Sequence, residues 1–267
     1  MSGYLHREIN FGDLFEVNRD PHELTATGTE PALQLLWGSV ITAVRTFTHP
    51  DSGRTVTLVG TMHIGQHRYF RQLSYVVEAL SAAGAEVHVE GINHLAESEP
   101  TAWERDRLAE ADGWADPETT GVTVSLLRVE SQGVRLRLPE GVRNVDLSHL
   151  QLLRRLGWDN YRRVFSPPHA DPSSPRLGPI ARAIIRFQFR HLRLVNRFAS
   201  LRRRDRHIAE VVIEERNQMA FAAATEALTR GDVALVWGTQ HVPGLATLFR
   251  AQGYRLCREE WFEACVT

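Results

Sequence analysis

A chain of 267 residues, 43% hydrophobic and 24% charged, has an ordinary globular composition and enough length for one large domain or two small ones. Its formal net charge of -1 excludes a global electrostatic pull toward nucleic acid or an anionic membrane, and no nucleic-acid partner is expected. All 31 basic residues are arginines, which excludes Schiff-base catalysis and a P-loop lysine, and two cysteines, Cys257 and Cys265, are too few for a disulfide framework or a cysteine zinc site.

Residues 1–30 are polar and mixed, with turn formers at Asn18, Asp20 and Pro21 and no strong periodicity, and read as a loosely structured lead-in to a single domain over 31–267. The start shows no basic segment followed by an apolar one, and the longest apolar stretches, such as LQLLWGSVITAV, fall short of the roughly 20 residues a membrane span needs. A soluble cytoplasmic protein without a membrane span is expected, with self-association left open. Residues 36–48 alternate as a strand does, HPDSG is dense in turn formers, and RTVTLVG follows, so a hairpin is predicted whose second strand delivers His63.

Over 67–83, apolar side chains recur at Phe70, Leu73, Val76, Val77 and Leu80, which predicts a helix closed by Gly84. AEVHVEG reads as the next strand, and the strand, helix, strand order predicts a crossover whose two strands are parallel neighbours. A largely helical insertion is expected over about 94–206. Within it, VRLRLPEGVRNVDLS predicts one or two short strands ending at Asp146, then a helix through His149 to about Arg163. Residues 166–179, SPPHADPSSPRLGP, predict a loop.

From Ile180 to about Arg230 the pattern is helical, with a break near Ser200. Arg182, Arg186, Arg190, Arg193 and Arg197 line one face of the first part, opposite Ile184, Ile185, Phe187, Leu194 and Phe198. Such a stripe reads as a solvated face, with a partner surface, an anionic substrate or a membrane contact as alternatives. The C-terminal segment then repeats the opening pattern: a strand over 233–237, a turn with His241, a helix over about 243–251, Gly253 as its cap and a strand over 254–258. The fold class expected is α/β: a mixed central sheet with a parallel βαβ core, flanked by helices.

Both units carry the same unusual turn, VGTMHIGQ in one and WGTQHVPG in the other. Ligands bind outside the carboxyl ends of parallel strands, where His63, His241 and Glu90 all fall in this reading. Two neutral imidazoles and a carboxylate form a ligand set for a divalent metal that activates water, and the three side chains are expected to meet within metal-ligand distance. Gly60 and Gly238 let the backbone turn sharply before each histidine. A lone G-x-x-H carries little weight, because a histidine after a strand more often serves a loop; the duplication is what raises it.

Other residues stand near this set. Arg216, on a helix over 206–229, is expected to salt-bridge Glu90 or Glu215, or to steady an oxyanion. His88 shares a face with Glu90 and reads as a satisfied core or pocket residue. The deaminase reading of H-V-E fails because P-C-x-x-C is absent. His67, one helical turn beyond His63, and Asp146, at the end of a short strand, are secondary candidates for a ligand or proton carrier.

VTLVGTMHIG, AEVHVEG, EERNQMA and VALVWGTQHVPGL together resemble the motifs of the TraB/PrgY and TIKI superfamily, related more distantly to GumN, ChaN and erythromycin esterase proteins. The resemblance covers roughly residues 53–93 and 205–260. It implies a metal-dependent, peptidase-like hydrolase, with manganese or cobalt preferred in TIKI proteins, with His63, His241 and Glu90 at the metal and Arg216 and Asn217 in the E-R-N segment; the divalent metal expected is Mn, Co or Zn. The expected substrate is a peptide or a small amide or ester. The alternatives are a metal-independent esterase-type hydrolase with His63 as general base, and a non-catalytic protein that sequesters a peptide.

Overall fold

The computed structural model describes residues 28–36, 39–91, 99–112, 130–166 and 206–266. In chain order the first half holds β1 (Leu33–Leu36), β2 (Ser39–Thr48), β3 (Thr55–Thr61), β4 (Ile64–Gly65), α1 (His67–Ala82) and β5 (Glu86–Val89). The middle holds α2 (Ala102–Asp112), β6 (Glu130–Ser131), α3 (Gln132–Arg135), β7 (Arg143–Asn144), α4 (His149–Leu156) and α5 (Trp158–Phe165). Next, α6 (Arg206–Ala209), a π-helical segment (Glu210–Glu215) and α7 (Arg216–Leu228) run on without a break. β8 (Val233–Gly238), α8 (Val242–Ala251) and β9 (Arg255–Val266) close the chain.

The central sheet is mixed, as the sequence predicts. β3, β8, β5 and β7 lie side by side in that order and are all parallel. β2 runs antiparallel to β3, β1 and β9, with β1 and β3 sharing one edge of β2 and β9 along the other. β3 and β5 are parallel but not neighbours, because β8 lies between them, Leu58 pairing with Leu235 and His88 with the same Leu235 from the other side. VRLRL is likewise not a strand: residues 132–135 are helical and 136–139 irregular.

The central place of β8 explains its composition. Val233, Leu235 and Trp237 join one apolar cluster, with Ala220, Ala224 and Ala227 of α7 and Leu245 and Phe249 of α8. Ala234 and Val236 join another, with Phe70, Leu73 and Val77 of α1. A strand covered on both faces has no solvent side, so its run of apolar residues is continuous rather than alternating. Each fully buried side chain such as Leu235 contributes roughly 1.5–3 kcal/mol. On β5, Val87 and Val89 face the α1 cluster, so His88 and Glu90, of the opposite parity, face α7.

α1 forms because Tyr69, Phe70, Leu73 and Val77 fall on one buried stripe, and it ends at Gly84, whose φ of 93° a side chain would resist. α4 starts with a capping box, Ser148 accepting from the Gln151 amide while the Gln151 side chain accepts from the Ser148 amide. That cap fixes the chain two residues beyond Asp146. Among the described residues no helix is long and apolar enough to cross a membrane. The lead-in through residue 27, the loop expected from 167 and the arginine-striped helix expected over 180–199 lie outside the described residues.

Candidate active site at the carboxyl edge of the sheet

The carboxyl ends of four adjacent parallel strands share one edge, and each delivers an ionisable side chain within three residues of its end. β3 ends at Thr61 and leads to His63; β8 ends at Gly238 and leads to His241; β5 leads directly to Glu90; β7 ends at Asn144 and leads to Asp146. Helix α7 lays Arg216 and Asn217 across this edge.

Arg216 is the hub. It is only 5% exposed. Its Nε donates to Asp146 Oδ1 at 2.8 Å, and Nη2 donates to Asp146 Oδ2 at 2.6 Å and to Glu90 Oε1 at 2.7 Å. Nη1 donates to the Val212 carbonyl, inside the π-helical segment, at 3.2 Å and lies 3.4 Å from His241 Nε2. Four of the five guanidinium N–H bonds therefore have an oxygen acceptor, and Nη1 also faces the His241 ring. The π-helical segment thus lies against this cluster, and such segments are frequent at functional sites.

The carboxylates have further donors. The Gly238 amide donates to Glu90 Oε2, the Leu147 amide to Asp146 Oδ1 at 2.7 Å and the Gly91 amide to Asp146 Oδ2 at 3.2 Å. Burial pushes the Glu90 pKa up, but His241, the Arg216 charge and the Gly238 amide outweigh burial and hold it well below the ordinary carboxylate range. Burial likewise opposes the Arg216 charge, while Asp146 and Glu90 prevail and raise its pKa. The ion pairs thus hold both partners charged in the interior.

His241 is 3% exposed. Its Nδ1 donates to Asn217 Oδ1 at 2.8 Å, and its Nε2 lies 3.4 Å from Arg216 Nη1 and 3.5 Å from Glu90 Oε1. Trp237 packs edge-on against the His241 ring, with Arg216 over its face. Gly244 allows this approach, since a Cβ there would stand 2.3 Å from Asn217 Nδ2.

The structure brings together Glu90, Asp146, Arg216, Asn217 and His241, and leaves the other sequence candidates outside. His63 lies at the same edge, but its side chain is exposed. Glu215, one residue from Arg216, pairs with Arg155 at 3.0 Å instead of Arg216. His67 is exposed at the start of α1. His88 is fully buried with Nε2 on Glu86 Oε1 at 2.9 Å, away from Arg216. Asp146, a secondary candidate in the sequence, makes the bidentate pair; its place two residues after a short strand and before a Ser-initiated helix is the available signal. The Gly238 amide as a donor to Glu90 had no signal at all.

His63, His241 and Glu90, expected to meet as a metal-ligand set, are not grouped as one among the described residues. Glu90 Oε1 is held by Arg216 and Oε2 by Gly238, so the guanidinium supplies the cation that the carboxylates require. Among the described residues, no three His, Cys, Asp or Glu side chains are grouped so as to hold a metal ion. No family model, curated protein or solved structure matches the chain.

Proposed function

We propose that the chain is a hydrolase of ester or amide bonds, working at the carboxyl edge of β3, β8, β5 and β7 without routing its chemistry through a metal. The observation that supports the reading most is the buried group of Arg216, Glu90, Asp146 and His241, assembled from separate elements where apolar packing of the same volume would be as stable or more so. In this reading His63, exposed at the end of β3, takes the proton of the attacking water as it adds to the carbonyl, and returns it to the leaving group. Glu90, whose side chain is 12% exposed, is the part of the ion cluster that a substrate can reach, and it orients water or substrate. Arg216 and Asn217 hold Glu90 and His241 in place rather than contacting the substrate. The same reading makes the chain a cytoplasmic enzyme acting on a peptide, small amide or ester.

A second reading keeps the Mn, Co or Zn ion that the superfamily resemblance implies. What favours it is the bond between His241 Nδ1 and Asn217, the kind of outer partner that orients a metal-ligating imidazole, with Nε2 as the atom that would hold the ion. One experiment separates the two: turnover of aryl esters, amides and peptides by full-length protein, before and after exhaustive chelation and after adding back Mn, Co or Zn. Ester turnover that survives chelation and disappears in His63→Ala and Glu90→Gln supports the first reading. Turnover that requires metal, with metal affinity lost in His63→Ala and His241→Ala, replaces it with the second. Binding of a peptide with no turnover under either condition overturns both and leaves a sequestering protein.

A further inference from the structure

The first G-T-x-H turn carries an exposed histidine on a backbone that is held from several sides. Tyr69, on α1, is completely buried. Its hydroxyl accepts from the Met62 amide at 3.1 Å, donates to the Gly60 carbonyl at 3.4 Å and accepts from Thr42 Oγ1 at 3.1 Å. A phenol has one O–H and two acceptor sites, and these three partners use all of them. The ring is also fixed, because it lies so close to Gly65 that a Cβ there would come within 2.6 Å of Tyr69 Cδ1. Residues 60–65 therefore wrap around one side chain, bonded at Gly60 and Met62 and in contact at Gly65.

Two more bonds complete the frame. The His63 carbonyl accepts from the Gln132 amide at 2.8 Å, and the Thr61 carbonyl accepts from the Thr239 amide at 2.9 Å, tying this turn to the second one. Burial pushes the Tyr69 hydroxyl far above its ordinary pKa, so it stays a neutral donor and acceptor across the whole working range. A histidine that only filled a surface turn would need no such support. We infer that Tyr69 is a positioning residue for His63: its phenol sets the direction in which the imidazole is presented at the carboxyl edge, and its distance from the second turn. Tyr69 acts through the Gly60–Met62 backbone and does not touch substrate. The inference rests on the hydrolase reading above, in which His63 moves the proton.

Steady-state kinetics on an aryl ester and histidine-selective NMR of the same full-length samples test it. Tyr69→Phe keeps the ring against Gly65 and removes only the hydroxyl. Its kcat is expected to fall on the order of 10- to 100-fold with KM within about twofold, because misplacing a proton-transfer group by about 1 Å is enough for the larger loss. Thr42→Val removes a hydrogen bond from the same hydroxyl without touching the turn, and its kcat is expected to stay within about twofold of the parent. The His63 ring signals, assigned by their loss in His63→Ala, are expected to shift or broaden in Tyr69→Phe and to hold in Thr42→Val. An unchanged kcat in Tyr69→Phe, or equal losses in the two variants, overturns the role. If the parent turns over no ester, the hydrolase reading falls by itself and NMR decides this one: His63 signals unmoved by Tyr69→Phe overturn positioning, and a selective disturbance upholds it.

Discussion

The two G-T-x-H turns share a sequence pattern and a place in the fold, yet they present their histidines in opposite ways. In the turn after β3 the backbone is pinned, by Tyr69, Gln132 and Thr239, and the His63 side chain is exposed. In the turn after β8 the side chain is pinned, by Asn217, Arg216 and Glu90, and His241 is buried. Repetition of a motif therefore predicts the position of a residue better than its environment. What decides the environment is the element overhead: α7 brings Arg216 and Asn217 over β8 and β5, and it packs on the face that carries Trp237.

The contrast is broken most severely by removing the charge at its centre. Arg216→Met leaves Glu90 and Asp146 buried without their cation, which is expected to destabilise the fold by about 3–5 kcal/mol, because breaking a buried pair strands a charge. Urea unfolding of this variant beside His63→Ala checks it. A loss no larger for Arg216→Met than for His63→Ala would mean that the second turn is no more constrained than the first.

Acid attacks the same group more gently. The pKa of Glu90 is lower folded than unfolded, where it is about 4.3, so the unfolded chain takes up the proton first. The stability this gives is complete above the unfolded value and is lost as pH falls through it toward the folded one. Glu86 and Glu104, both lowered to about 2, add to the acid slope of the whole protein, Glu86 chiefly through its hydrogen bond with His88 and Glu104 through Arg154. The comparison with Glu90→Gln isolates the site: the gap in Tm between parent and variant is expected to narrow from pH 6 to pH 3. A gap that stays constant across that range would show that Glu90 gains nothing from Arg216 and His241.

How much of this was legible beforehand follows from what is local. β3, α1, β5, β8 and α8 were readable because each pattern is complete within its own segment and ends at a Gly or a turn. Their lateral order was not, since a strand, helix, strand unit does not say what is inserted between its strands; β8 comes from more than 140 residues later to lie beside β5. Arg216 was legible as a candidate, but its main partner Asp146 is 70 residues away, with nothing in either segment to link them. The neighbour that looked natural, Glu215, is turned about 100° round the helix and meets Arg155 instead. The π-helical segment had no sequence signature.

The glycines of the two turns sharpen the contrast at smaller cost. A Cβ on Gly60 would lie 2.7 Å from the Ala43 carbonyl, a backbone atom of the neighbouring strand that cannot give way, while a Cβ on Gly238 would lie 3.0 Å from Glu90 Oε2, the end of a side chain. Gly60→Ala is expected to destabilise by about 1–3 kcal/mol and Gly238→Ala by about 1 kcal/mol or less, since the first forces a backbone shift. Equal midpoints of thermal unfolding for the two variants would remove the distinction between a turn held by its backbone and one held by its side chain.

The smallest expected change in stability is the one that bears most on function. His63 is exposed, so His63→Ala is expected to alter stability by no more than about 0.5 kcal/mol, the range of an ordinary surface substitution. His241→Ala, by contrast, leaves Asn217 and Arg216 facing a void in the interior and is expected to lower Tm clearly. A frame that involves Tyr69, Gln132 and Thr239 yet adds no stability through the side chain it presents is a frame for presentation. A loss of more than about 1 kcal/mol in His63→Ala would instead make His63 part of the turn's own structure, and the two histidines would then differ in degree rather than in kind.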